Sequence, residues 1–354
     1  MSDASTERVD ERDAGGAAHE VCAAESADLL ALWWEKQRTT GLVRHDPRLL
    51  VLHGVEEVCG AYGWGTVFYS KAREDYKTRV GSLPEKRAAT FDLELMSRLL
   101  FARSGGLNVA ANPNSLAPGH LVVWPEEKRA ELTLADLSDV SRLARAQREL
   151  TFIHNMERAA ASIVDWAHFQ AYPWEFPLSR AETCETICES AHLRVARLAE
   201  TYPAYALLVE AASAERLAAW LFGMLRRVAA TVEGGAGDEE TRGGIPCNIV
   251  WRGERAWFIP RSPAQTELAA TYVGALEMGG LFCLPNADSL RQYLPAALSA
   301  EVRGASIADE PRIRAWCEQA ARDAAAEFPA SEKASELSAT EAVRSSLKLD
   351  CEVG

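Results

Sequence analysis

The chain has 354 residues, 48% of them hydrophobic, room for about two ordinary domains or one large one with a full core. Thirty-eight Lys and Arg against 51 Asp and Glu leave a net charge of −13, with no basic tract. This excludes the Lys/Arg-rich face that nucleic-acid polymers need, but not a small phosphorylated ligand that asks for a few local donors. No apolar run follows a basic N-terminal segment, so no signal peptide is expected. No apolar stretch has the length of a bilayer span. The eight cysteines are scattered, which fits reduced thiols and a cytoplasmic location.

In chain order, residues 1–27 are polar, acidic and rich in Gly and Ala, and predict a disordered lead. "SADLLALWWEKQRTTG" predicts a helix capped by Ser26, with Leu29, Leu30, Trp33 and Trp34 along one side. "YGWGTVFYS" predicts a strand. "LNVAANPNSLAPGHLVVWP" predicts two strands around an Asn/Pro/Ser/Gly loop. "TLADLSDVSRLARAQREL" predicts a helix with Thr133 and Asp136 as a capping box and a helical period over Leu137, Val140, Leu143 and Ala144.

"TFIHNM" predicts a strand, "ERAAAS" a bend and "IVDWAHFQAY" a second strand. From Ala181 to about Val232 the Ala/Leu-rich composition predicts mostly helix. Cys184 and Cys188, four apart, would then share one helix face, either as two small buried residues or as a metal or redox pair. "PCNIVWRGERAWFIPR" predicts a hairpin, "YVGALEMGGLFCLP" a strand, and the rest of the body helix. From about Ser331 the chain turns polar again and predicts a loose tail. Strands and helices do not alternate one for one, and hairpins imply antiparallel pairing, so the fold class is α+β.

Side chains alternate faces along a strand, so His168 and Gln170 would stand side by side with Trp166, opposite Ala167, Phe169 and Ala171. A His two residues from a Gln can meet one phosphate: the imidazole attacks phosphorus and the amide donates to an oxygen. Neutral imidazole is a good nucleophile when a carbonyl holds its other nitrogen in the N–H form. The same two residues also suit a plain satisfied polar pair. His45, His53, His154 and His192 have no partner at useful spacing and read as structural or exposed.

"WAHFQAY" resembles the H-x-H-x-Q signature of the histidine-triad superfamily, in its nucleotidyltransferase branch of galactose-1-phosphate uridylyltransferase, diadenosine tetraphosphate phosphorylase and GDP-hexose phosphorylases. It is most similar to the GDP-L-galactose/GDP-D-glucose phosphorylases. "ALWWEKQRTTGLVRHD", "NPNSLAPGHLVVWP", "HNMERAAASIVDWAHFQ", "CNIVWRGERAWFIPR" and "LEMGGLFCLPNAD" are similar to further elements of that family in the same order.

The resemblance runs from about residue 28 to 300. It implies an antiparallel histidine-triad-like sheet with flanking helices, in two halves of about 28–180 and 181–330, between tails 1–27 and 331–354.

The resemblance implies that His168 is the nucleophile toward the α-phosphorus of a nucleoside diphosphate sugar, GDP-hexose in the first place, with phosphate or a sugar phosphate as acceptor. Gln170 is then a phosphate donor. Asn155, thirteen residues before His168, lies near the phosphates or ribose, and Asn112 meets the nucleoside. Gly119 permits close backbone approach, followed by His120. Lys77 and Arg79 in "DYKTRVG", and Arg261 after Pro260, read either as phosphate contacts or as ordinary polar residues. Trp166 stands where the family has the first signature His. It reads either as a stacking ring for base or sugar or as a space filler. With that His replaced and no CxxC, no metal site is expected, and no cofactor. A homodimer is implied by the resemblance alone. The competing readings are a dinucleoside polyphosphate phosphorylase, an enzyme acting on a specialised bacterial sugar nucleotide, and a nucleotide-binding protein that has lost turnover.

Overall fold

A computed structural model describes residues 22–40, 53–58, 65–69, 91–161, 163–230, 244–262, 273–284 and 295–327. Strands are β1 (Cys22–Ala23), β2 (His53–Val58), β3 (Gly65–Tyr69), β4 (Leu100–Ser104), β5 (Leu107–Ala111), β6 (Leu121–Pro125), β7 (Thr151–Asn155), β8 (Phe169–Tyr172), β9 (Thr183–Glu189), β10 (Leu193–Leu198), β11 (Leu207–Ala211), β12 (Cys247–Arg252), β13 (Arg255–Pro260) and β14 (Leu281–Leu284). Helices are α1 (Leu29–Thr40), α2 (Leu93–Leu99), α3 (Leu134–Ala146), α4 (Ala214–Ala230), α5 (Ala275–Met278), α6 (Pro295–Ala305) and α7 (Pro311–Ala326). Among the described residues no helix is long and apolar enough to cross a membrane.

Among the described residues, eleven strands form one sheet in the order β1-β4-β5-β6-β8-β7-β12-β13-β11-β10-β9, antiparallel except for the β1–β4 pair. A second sheet runs β14-β3-β2. The class is α+β, with the large antiparallel sheet that the resemblance implied. The sheet is built twice over. The run β4-β5-β6-α3-β7-β8 takes the spatial order β4-β5-β6-β8-β7. The run β9-β10-β11-α4-β12-β13 takes the same order, β9-β10-β11-β13-β12, and the two meet at the β7–β12 pair. In each unit the helix carries the chain across one strand position, so the last strand comes back inside the pair.

Both faces of the sheet are buried. One packs Phe152, Phe169, Ile249, Trp251 and Phe258 with Leu137, Val140, Trp220 and Cys317 of α3, α4 and α7. The other packs Ile153, Tyr172, Val250, Trp257 and Ile259 with Leu276, Phe282 and Val302. The alternation of neighbours such as Phe152 and Ile153 between the two cores is the period of two expected of strands.

Several expectations are corrected. Residues 22–27 are not a disordered lead: Cys22 and Ala23 pair with Ala102 and Arg103, Ala24 is fully buried, and Gln147 Nε2 donates to the carbonyls of Ala24 and Ala27. The stretch from Ala181 begins with three strands, β9 to β11, before helix α4. Its Ala and Leu side chains pack a sheet: Val195 and Leu207 go to one core, Leu198 and Leu208 to the other. Cys184 and Cys188 therefore lie on β9, both free, Cys184 exposed and Cys188 half-buried.

Asp28, not Ser26, caps α1, its Oδ1 accepting from Ala31 N at 2.9 Å, and only Leu29 and Trp33 of the predicted stripe are buried. "ALEM" forms helix α5, and only after the Gly279–Gly280 turn does β14 begin. The capping box of α3 is as expected, with Asp136 N donating to Thr133 Oγ1 and Thr133 N to Asp136 Oδ2.

Candidate active site

β8 is shorter than the sequence predicts. It starts at Phe169, and residues 163–168 approach it as irregular chain, so His168 sits just before the strand. Its orientation is set locally. His168 Nδ1 lies 3.0 Å from the Trp166 carbonyl. A carbonyl only accepts, so Nδ1 carries the hydrogen and Nε2 keeps its lone pair. Burial lowers the His168 pKa from its ordinary value, against the opposing pull of the Trp166 bond, so the ring is neutral at pH 7. The His168 carbonyl in turn accepts from His154 Nδ1 at 2.9 Å. His154 is itself buried, and burial brings its pKa down to about 4. Ring and backbone of His168 are thus both held.

Gln170 lies on β8 opposite Val122 of β6 and Ile153 of β7. The Leu116 N–H donates to His120 Nδ1 at 3.0 Å, so the His120 hydrogen is on Nε2, which donates to Gln170 Oε1 at 3.0 Å. The Tyr172 hydroxyl donates to the same oxygen at 2.6 Å. With its carbonyl doubly engaged, Gln170 has its NH2 group as its remaining donor.

The His120 ring stacks on Tyr172 with centroids 4.2 Å apart, and Tyr172 stacks on Trp174 at 5.7 Å. Asn112 completes this end. Its Nδ2 lies 3.0 Å from His120 Nε2 and its Oδ1 accepts from Asn114 N. Gly119 has φ +79°, and a Cβ there would stand 2.8 Å from Leu30 Cδ1. This left-handed turn starts β6 and lets the His120 carbonyl accept from Asn112 N at 2.9 Å and Trp33 Nε1 at 3.1 Å.

Asn155 closes β7. The β7–β8 register pairs Ile153 with Gln170 and runs no further; Asn155 pairs with Asn248 of β12 and follows His154, whose ring bonds the His168 carbonyl. Asn155 Oδ1 accepts from Asn248 Nδ2 at 2.7 Å and from Ala275 N at 2.8 Å. Asn248 Nδ2 also donates to the Ala159 carbonyl, and Asn248 Oδ1 accepts from Arg261 Nη1 at 2.6 Å. Arg261 is 1% exposed, donates further to the Ala305 and Val273 carbonyls, and is brought down to about 10 by burial.

One face of the sheet therefore carries Asn112, His120, Gln170, Asn155, Asn248 and Arg261 from β5 across to β13, with His168 immediately before β8. On that face the second unit presents Trp257 and Ile259 from β13, where β8 presents Gln170 and Tyr172. The site belongs to the first unit, with Asn248 and Arg261 contributed by the second.

Of the residues singled out from sequence, the structure brings Gln170, His120, Asn112 and Asn155 to this face, with Gly119 before His120 and His168 just before β8. Trp166 is placed elsewhere. It is buried against Phe91, centroids 4.7 Å apart, and its Nε1 donates to the Pro125 carbonyl. Of its two readings, that burial fits the space filler, because its ring is covered by core residues. Lys77 and Arg79 lie outside the described residues.

Arg261 is no exposed loop residue but the anchor beneath Asn248. His154 and Asn248 were missed as site residues. His154 acts on a backbone carbonyl, which no side-chain spacing discloses. Asn248 had a signal, the Asn heading the later hairpin. Among the described residues no three His, Cys, Asp or Glu are grouped to hold a metal ion.

No protein-family model and no curated protein sequence matches the chain. Solved structures do. A yeast Ap4A phosphorylase is similar with a TM-score of 0.55 at 11% identity, over 79% of this chain and 94% of that one. The same enzyme in complex with Ap4A is similar with a TM-score of 0.54 at 11% identity, over 79% of this chain and 97% of that one. An ADP-glucose phosphorylase from Arabidopsis thaliana is similar with a TM-score of 0.32 at 13% identity, over 74% of this chain and 98% of that one. At these identities the yeast likeness is one of fold. It agrees with the fold that the sequence resemblance implied.

Proposed function

We propose that the protein is a nucleotidyltransferase that works through a covalent nucleotidyl-histidine on His168. The observation that carries this reading is the polarity of the site: a neutral His168 with its Nε2 lone pair unprotonated, beside a Gln170 whose NH2 is its remaining donor. The Nε2 lone pair attacks the α-phosphorus of a nucleotide, a P–N bond forms, and the P–O bond to the leaving phosphate breaks. The positive charge that appears on the ring is stabilised by the Nδ1–H bond to the Trp166 carbonyl. Charge on the phosphoryl oxygens meets the NH2 group of Gln170 and that of Asn155. An oxygen of inorganic phosphate or of a sugar phosphate then attacks the same phosphorus, the P–N bond breaks, and His168 returns neutral.

For the donor, the motif resemblance supports a nucleoside diphosphate sugar, GDP-hexose first. A second reading, a dinucleoside polyphosphate, is favoured by the fold match to a protein whose solved complex holds Ap4A. Incubation with GDP-, UDP- and ADP-sugars and with Ap4A, each with inorganic phosphate, separates the two by the products released. The reading predicts release with one donor class that disappears in His168→Asn. A melting shift with a nucleotide but no release from any donor would make the protein a binding module and contradict the catalytic reading.

A further inference from the structure

An amide side chain beside a phosphate helps only if it presents NH2 and not its carbonyl. In Asn155 this choice is made two residues away. A guanidinium has donors and no acceptor. Arg261 Nη1, 2.6 Å from Asn248, can therefore only face Asn248 Oδ1. The other end of Asn248 must then be NH2, and it donates to Asn155 at 2.7 Å and to the Ala159 carbonyl at 2.8 Å. The atom of Asn155 that receives it must be Oδ1.

A second constraint agrees. The Ala275 backbone N–H, also only a donor, meets the same Asn155 oxygen at 2.8 Å. Asn155 Nδ2 has no acceptor among the described residues, and Asn155 itself is only partly buried. Asn155 follows His154, whose ring bonds the His168 carbonyl. Arg261 is 1% exposed, its Nε and Nη1 bond the Ala305 and Val273 carbonyls and Asn248, and its Nη2 is buried with no hydrogen-bond partner among the described residues.

We infer that Arg261 and Asn248 are positioning residues, a donor-only anchor and a relay that lock the Asn155 amide with its NH2 turned to the reacting phosphate at His168. The catalytic use of that lock rests on the reading of His168 as nucleophile. The lock itself does not. It joins the two repeats: Arg261 and Asn248 belong to the hairpin of the second unit, Asn155 to the first.

The lock is tested first in the wild-type protein with selectively 15N-labelled asparagine, assigning Asn155 by the loss of its resonances in Asn155→Asp. The Asn248 NH2 protons, both bonded, are expected to exchange slowly with solvent. Those of Asn155 are expected to exchange fast and to shift on titration with AMP or inorganic phosphate. Asn155 protons as protected as those of Asn248 would overturn the inference, whatever the activity.

Arg261→Lys keeps a donor-only group and is expected to keep this pattern. Arg261→Met removes the donor, so Asn248 protection is expected to fall. Turnover is then expected to fall by about 10- to 100-fold in kcat, the loss of one hydrogen bond to a charged group, with KM little changed. A melting temperature lowered equally in both variants with exchange and kcat untouched would mean a structural role only, and would overturn it too. If wild-type protein forms no adduct on His168 with any donor, the proposed function fails while the exchange pattern still decides the lock.

Discussion

His168 and His154 lie under one physical constraint, burial of a ring that is charged only at a cost. For catalysis this fixes the acid limit. Protonation of Nε2 removes the lone pair, and burial moves that protonation below the ordinary histidine value. Nucleotidyl transfer is therefore expected to hold its rate as pH falls to 6.5 and to decline only below it. A midpoint above 6.5 in the rate of adduct formation would contradict the burial of the nucleophile.

For stability the sign follows from the same shift. Between pH 6.5 and about 4 the unfolded chain takes up a proton on His154 that the folded chain refuses, so stability falls as pH falls through this window. The size for a group moved from 6.5 to about 4 is about 3 kcal/mol. Urea unfolding at pH 7 and pH 4.5 checks it: His154→Phe is expected to lose less on acidification than wild type. His168 and Gln170 were singled out in sequence by their spacing, and the structure keeps Gln170 on β8 with His168 just before it. His154 was not, because its partner is the carbonyl of His168 fourteen residues on.

Among the elements, those with strong local signals read correctly. The hairpin β12–β13 has its Gly253 turn at φ +60° between two apolar runs, and α3 has its capping box. The strands β10 and β11 did not, because Ala and Leu favour helix in isolation while tertiary burial decided otherwise; β9 was missed although Thr183, Thr186 and Ile187 are β-branched. β8 is shorter than "IVDWAHFQAY" because the chain before it is held by the bonds around Trp166 and His168.

The loop into β6 is the element on which the proposed nucleotide end of the site depends. Gly119→Ala would place a Cβ at φ +79° and against Leu30 Cδ1, costing about 1–2 kcal/mol for the left-handed backbone. The expected outcome is a lower melting temperature and a weaker nucleotide-induced melting shift, because His120 and through it Gln170 lose their register.

At the scale of the molecule, the two units share one sheet and the core on each of its faces. The β7–β12 pair is the seam, with Asn248 paired to Asn155 and Trp251 to Phe152, and Phe152, Trp251, Val140 and Trp220 lie in a single cluster. Unfolding is accordingly expected as one transition, with tryptophan fluorescence and far-UV circular dichroism coincident. Two separated transitions would mean that the seam is not cooperative. The repeat was expected from resemblance to a family rather than read from residue pattern. The first unit presents Gln170 and Tyr172 where the second packs Trp257 and Ile259, so the halves repeat in topology and not in side chains.

The most direct test of the central claim is intact-mass and peptide mapping of the protein after incubation with each nucleotide donor in the absence of acceptor, quenched at alkaline pH where a phosphoramidate survives. The account predicts a mass gain of one nucleoside monophosphate, mapped to the peptide that contains His168, lost on adding phosphate and absent in His168→Asn. An adduct on another residue, or turnover that persists in His168→Asn, would contradict it.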